Sequence, residues 1–278
     1  SPAPIHKHSG GMIQDCYTVP DDLYDRLVES VGGPFNLFRY WGPLASGTST
    51  DWIAQATAAV MAQHDGDDTP LLLLTYLPHL DYALQKHGPS ARETAETAFR
   101  ELVDHLMLLF ESADAHDFGV LVWGDYAMVD ARRTVFPNRV LREKGLFRVR
   151  RVKKHTYADL YRSRAFAMVD HQAAHVYVPD MADIAAVRNS LAQLPGIADV
   201  LEHAALDHPR SGELILVAEP DAWFAYPWWT DDAEAPDYAG HVDIHNKIGF
   251  DPCELFWGGL LPPRITTDTA REIGRASC

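Results

Sequence analysis

The chain has 278 residues, 47% of them apolar and 23% charged, the profile of an ordinary globular protein long enough to bury a sizeable core. A formal charge of −15 argues against a nucleic-acid groove or an anionic membrane surface as its main partner. Three cysteines with no CxxC spacing make neither a disulfide framework nor a thiolate metal site, and no apolar run reaches membrane-spanning length, so a cytoplasmic location is expected.

In chain order, residues 1–19 carry no regular pattern, and His6 and His8 there are expected to be solvated. Pro20-Asp21-Asp22 opens a short helix that Gly32-Gly33-Pro34 stops. Ser49 or Thr50 can cap a second helix, with Ile53, Ala56, Val60 and Met61 on one face. Leu71 begins a continuous apolar run that turns polar at Pro78-His79-Leu80-Asp81. A short apolar run ahead of a loop and a helix predicts a strand buried on both faces of a parallel sheet. Ser90 can cap the next helix, which runs to about Ser112, and Phe118–Trp123 predicts a second buried strand ending at Gly124-Asp125-Tyr126. That order implies right-handed parallel crossovers. Farther on, a short helix is expected over 138–143, a basic strand over 146–153, and strand segments on both sides of Asp170-His171-Gln172. If one strand ran through that point, His171 and His175 would share a face. A helix over 182–194, a strand over 213–218 and an aromatic run from Trp223 to Trp229 complete the reading, before His241-Val242-Asp243-Ile244-His245. The aromatic run is expected to be core rather than a stacking platform.

The strand ends are where ligands gather in an open α/β sheet. Asp81 follows the first expected strand, Asp125 follows the second, and a late loop delivers His245. Carboxylates and an imidazole converging from separate loops suit a Zn²⁺ or Mn²⁺ ion. Acidic residues at strand ends are also common without any metal, so the spacing alone leaves both readings open.

The string YLPHLDYALQKHGP resembles the Asp-x-x-x-His segment of the alkaline phosphatase superfamily, in its type I phosphodiesterase and nucleotide pyrophosphatase branch. Gly124-Asp125-Tyr126-Ala127-Met128 resembles that branch's Ser-Asp-His-Gly-Met motif, and the run from Gly212 to Pro252 resembles its last strand and final His region. The resemblance implies a single three-layer α/β/α domain over 1–278 with a mostly parallel central sheet. It implies a metal-dependent hydrolase of phosphodiester or pyrophosphate bonds, using one or two divalent ions, zinc or manganese, on a small phosphorylated substrate. Residue by residue, it makes Asp81, Asp125 and His245 metal ligands, with Gln85 and Tyr126 at positions where the branch has imidazoles and His79 as a nearby substitute. His171 and His175 are candidate site-lining residues. The branch keeps its Thr or Ser nucleophile upstream of the segment matched here, so an incomplete amino-terminal part and an inactive chain are expected. The rival expectation is a member of the same fold that binds a metabolite or partner without hydrolysing it, and Gln85 and Tyr126 are its support.

Overall fold

The computed structural model describes residues 2–8, 12–40, 44–66, 68–124, 126–203, 208–240, 257–260, 263–265 and 276–277. Asp125 and His245 lie outside the described residues. The chain divides into two compact units, Ser1–Tyr126 and Ala127–Cys278.

The first unit is largely helical. A short antiparallel pair, β1 (Ile5–His6) and β2 (Met12–Ile13), precedes α1 (Leu23–Val31). Gly32 ends α1 at φ 87°, a left-handed conformation that glycine adopts without Cβ strain, and its N–H closes on Val28 O. Helix α2 (Gly47–Gln63) starts two residues earlier than Ser49, with Ser46 at its N-cap, so Ser49 and Thr50 are buried inside it rather than capping it. Residues 79–87, expected as loop, form α3 (His79–His87), with Pro78 before its first turn and Gly88 N–H on Leu84 O at 2.7 Å behind it. Helix α4 (Arg92–Ala115) follows and turns Ala98, Leu109 and Ala113 inward.

The two apolar runs do not form buried strands here. Residues 71–78 and 119–124 carry no strand pairing, and Leu72, Leu74 and Leu121 are 81%, 76% and 78% exposed. Both runs are apolar enough for a sheet interior. A strand, however, also needs a neighbour for its backbone groups, and no described residue supplies one.

The second unit holds the main core. Its strands are β3 (Val129–Asp130), β4 (Arg133–Val135), β5 (Val149–Val152), β6 (His155–Ala158), β7 (Phe166–Asp170), β8 (Ala173–Tyr177), β9 (Ile197–Glu202), β10 (Leu214–Ala218), β11 (Ala222–Phe224), β12 (Trp257–Leu260), β13 (Pro263–Ile265) and β14 (Ala276–Ser277), with helices α5 (Pro137–Glu143) and α6 (Ile184–Leu191). Strands β7, β8, β10 and β9 form one sheet in that order, antiparallel throughout, while β4 and β11 make a parallel pair. The protein is therefore α/β with mixed sheets, and the described residues do not form one mostly parallel sheet.

Burial follows the pleat. Ala167 and Val169 on β7 and Ala174 and Val176 on β8 point inward, and the inner strand β10 buries Leu214, Ile215 and Leu216 together. Leu141, Val187, Leu191, Phe224, Trp228 and Trp229 join all of these but Ile215 in one apolar cluster. The aromatic run is core, as its composition predicts.

Candidate functional site

Asp81 sits in the first turn of α3, and Gln85 lies one turn later on the same face, as i and i+4 must. The chain returns at Tyr126, whose Oη donates to Asp81 Oδ1 at 2.6 Å. Gln85 Nε2 donates to both Asp81 oxygens at 3.1 Å. The three residues named separately from the sequence thus meet at one carboxylate. Burial, then the hydrogen bond to Asp81, pushes the Tyr126 phenol far above its ordinary value, and Tyr76 also hydrogen-bonds it. The phenol stays protonated and acts as a donor.

His79 faces elsewhere. It is 3% exposed, its backbone N–H donates to Thr50 Oγ1 at 3.1 Å, and its Nε2–H donates to Ala98 O at 2.8 Å. That bond leaves Nδ1 as the lone-pair nitrogen, buried and with no hydrogen-bond partner among the described residues. Burial lowers the His79 pKa, and the nearby His105 pushes it the same way, against the Ala98 carbonyl and Glu101. His79 is a neutral imidazole tying α3 to α4.

Beside it, Gly47, Thr48, Asp51, Glu101 and His105 line an open cavity of about 440 Å³. His105 Nδ1–H donates to Glu101 O at 2.6 Å, which turns its Nε2 toward Asp51 Oδ1 at 3.6 Å. Sequence reasoning sees only a histidine within a helix here, because Asp51 and His105 are far apart in the chain.

His171 and His175 belong to the second unit. Asp170-His171-Gln172 is the turn between β7 and β8, with His171 at φ 50° and its carbonyl accepting from Phe224 N at 2.7 Å. No strand runs through this point, so the condition for His171 and His175 to share a face is not met. His175 lies on β8 opposite Ile215, and its Nδ1 accepts from Gly212 N at 3.1 Å. Gln172, the third residue of that string, donates from Nε2 to the carbonyls of Glu219, Pro220 and Ala222 and so holds the turn against the 219–222 loop.

The model of the family described as type I phosphodiesterase / nucleotide pyrophosphatase matches residues 3–251. The chain belongs to this family. With it comes membership of the alkaline phosphatase superfamily. As a family member it is similar to phosphonoacetate hydrolase from Sinorhizobium meliloti 1021 in complex with phosphonoacetate, at TM-score 0.51 and 16% identity, covering 76% of this chain and 49% of that one. The same enzyme in complex with phosphonoformate gives TM-score 0.49 and 19% identity over the same shares. The chain thus spans about half the length of these solved structures, and identities this low speak to the fold alone. No curated protein sequence matches the chain.

The superfamily is commonly metal-dependent, so the described residues can be tested against a metal. Among them, no group of three or more His, Cys, Asp or Glu side chains lies close enough to hold an ion. The corner at Asp81 does not fit one either. Tyr126 and Gln85 present protons to the carboxylate, whereas a zinc ligand must present a lone pair. Also among the described residues, no helix is long and apolar enough to cross a membrane.

Proposed function

We propose that the protein, in its full-length form, hydrolyses a phosphodiester or pyrophosphate bond in a small phosphorylated molecule with the help of a divalent ion, zinc or manganese. The family match across residues 3–251 carries this reading, since it spans Asp81, Asp125 and His245 together. Asp125 and His245 are the residues we propose to hold the ion, because the Asp81 carboxylate is already engaged by Tyr126 and Gln85. A bound divalent ion lowers the pKa of a coordinated nucleophile and offsets charge on the phosphoryl oxygens. With the fold we propose a three-layer α/β/α sandwich in the full-length protein, with residues 71–77 and 118–123 as strands of a mostly parallel sheet.

The test is turnover of an activated phosphodiester and of a dinucleotide pyrophosphate by the full-length protein, with and without chelator. Asp125→Asn is expected to lower bound metal and turnover together, turnover by more than about tenfold. Unchanged turnover at unchanged metal content refutes the assignment.

A second reading has its own support in the donors around Asp81. Replacing lone-pair ligands by a phenol and an amide is what a family member that binds a phosphorylated metabolite without hydrolysing it would do. That reading expects no turnover and no bound metal, with saturable binding of the metabolite in calorimetry.

A further inference from the structure

The Asp81 corner uses hydrogen bonds where a metal site would use an ion. Tyr126 Oη at 2.6 Å is within the range of a charge-assisted O–H···O⁻ bond, and Gln85 Nε2 bridges both carboxylate oxygens at 3.1 Å. The amide orientation follows from its partner, because a carboxylate only accepts and Nε2 must therefore face it. For Gln85 to ligate an ion, its amide would have to turn Oε1 inward and lose both bonds. Tyr126 would have to give up the proton it shares with Asp81.

We infer that Asp81, Gln85 and Tyr126 form a metal-free corner, in which two protic side chains provide the compensation a divalent cation would otherwise provide, and that this corner takes up neither zinc nor manganese. The inference extends the hydrolase reading only in limiting the ions to those held elsewhere. It does not depend on that reading being right. Helix geometry makes it testable by gain as well as loss. Positions 81 and 85 share one face of α3, and position 126 reaches the same carboxylate, so imidazoles at 85 and 126 would join Asp81 as three ligands suited to zinc.

The experiment measures zinc per chain, by elemental analysis and by calorimetric titration, on metal-stripped full-length protein. Wild type, Asp81→Asn and Tyr126→Phe are expected to bind the same number of equivalents. The double variant Gln85→His/Tyr126→His is expected to bind one more, with an unchanged circular dichroism spectrum. Loss of an equivalent in Asp81→Asn or in Tyr126→Phe overturns the inference, because either residue is then a ligand. A folded double variant that gains nothing overturns it too. A wild type with no zinc and no turnover refutes the hydrolase reading instead, and leaves the extra equivalent of the double variant as the deciding observation here.

Discussion

Asn138 is expected to be one of the most sensitive positions in the second unit. It is 2% exposed in the first turn of α5 and faces β7, an edge strand. Its Nδ2 donates to Ala167 O at 2.8 Å, and its Oδ1 accepts from Ala167 N at 2.8 Å. The side chain thus acts as a one-residue neighbouring strand, pairing both outward groups of Ala167 and covering the edge. Asn138→Ala leaves two buried backbone groups without partners. At about 1–3 kcal/mol each, less some relief from water at an edge, the cost should be about 2–4 kcal/mol. Asn138→Asp keeps the shape but sets an acceptor against Ala167 O, so it should cost at least as much at neutral pH. Urea unfolding followed by near-ultraviolet circular dichroism gives both values. If both variants fall within about 0.5 kcal/mol of wild type, the edge is satisfied by other means and the reasoning fails.

Glu234 receives both arms of the Arg142 guanidinium, at 2.7 and 2.9 Å, and this holds its pKa below the usual carboxylate value against a smaller opposing effect of burial. A lowered folded-state pKa means that the stabilisation is complete above the ordinary Glu range and is lost as pH falls through the lowered value. Glu234→Gln should therefore cost about 1 kcal/mol at pH 7 and progressively less below about pH 4, measured as the gap between the two unfolding midpoints. Gly212 packs so tightly that a Cβ would lie 2.6 Å from Val176 O and 2.7 Å from Val176 N, backbone atoms that cannot swing aside. Gly212→Ala is expected to cost about 1–3 kcal/mol, whereas Gly119→Ala, with nothing within 4 Å, should show no packing cost in the same thermal melt. Leu74→Lys should scarcely alter the stability of this chain by itself, since Leu74 is 76% exposed. In the full-length protein it should cost several-fold more if residues 71–77 become an interior strand, and equal costs in the two would refute the proposed sheet.

Much of the fold is legible in the sequence wherever a local signal and its packing agree. Gly32 ends α1, Pro137 opens α5, and the alternation around 166–177 yields two strands whose inward positions are Ala167, Val169, Ala174 and Val176. The aromatic run at 223–229 is likewise core. The misses have separate physical causes. Strand β9 buries only Val200, so a polar sheet edge carried too little apolar pattern to be seen. The hairpin at Asp170–Gln172 contains no glycine, and His171 takes the left-handed conformation itself, so the usual turn signal is missing. Helix α3 has no side-chain cap at its start and begins against Pro78, which hid it inside an apparent loop. The runs at 71–77 and 118–123 failed in the opposite way, because apolar composition records a preference for burial but says nothing of which backbone will pair with it.

The candidate site shows the same division more sharply. That Gln85 and Tyr126 meet at Asp81 follows the family resemblance, in which both stand at imidazole positions. What they do there does not follow from it, because donor or acceptor is decided by the partner each side chain meets. As possible ligands, an amide and a phenol are merely poorer versions of histidine. As donors to one shared carboxylate, at 3.1 and 2.6 Å, they have the opposite chemical sense and compete with a cation for the same oxygens. A substitution at a metal-binding position can therefore weaken a site or close it. The choice between those outcomes rests on the direction of two hydrogen bonds, and adding histidines at 85 and 126 would reverse both at once.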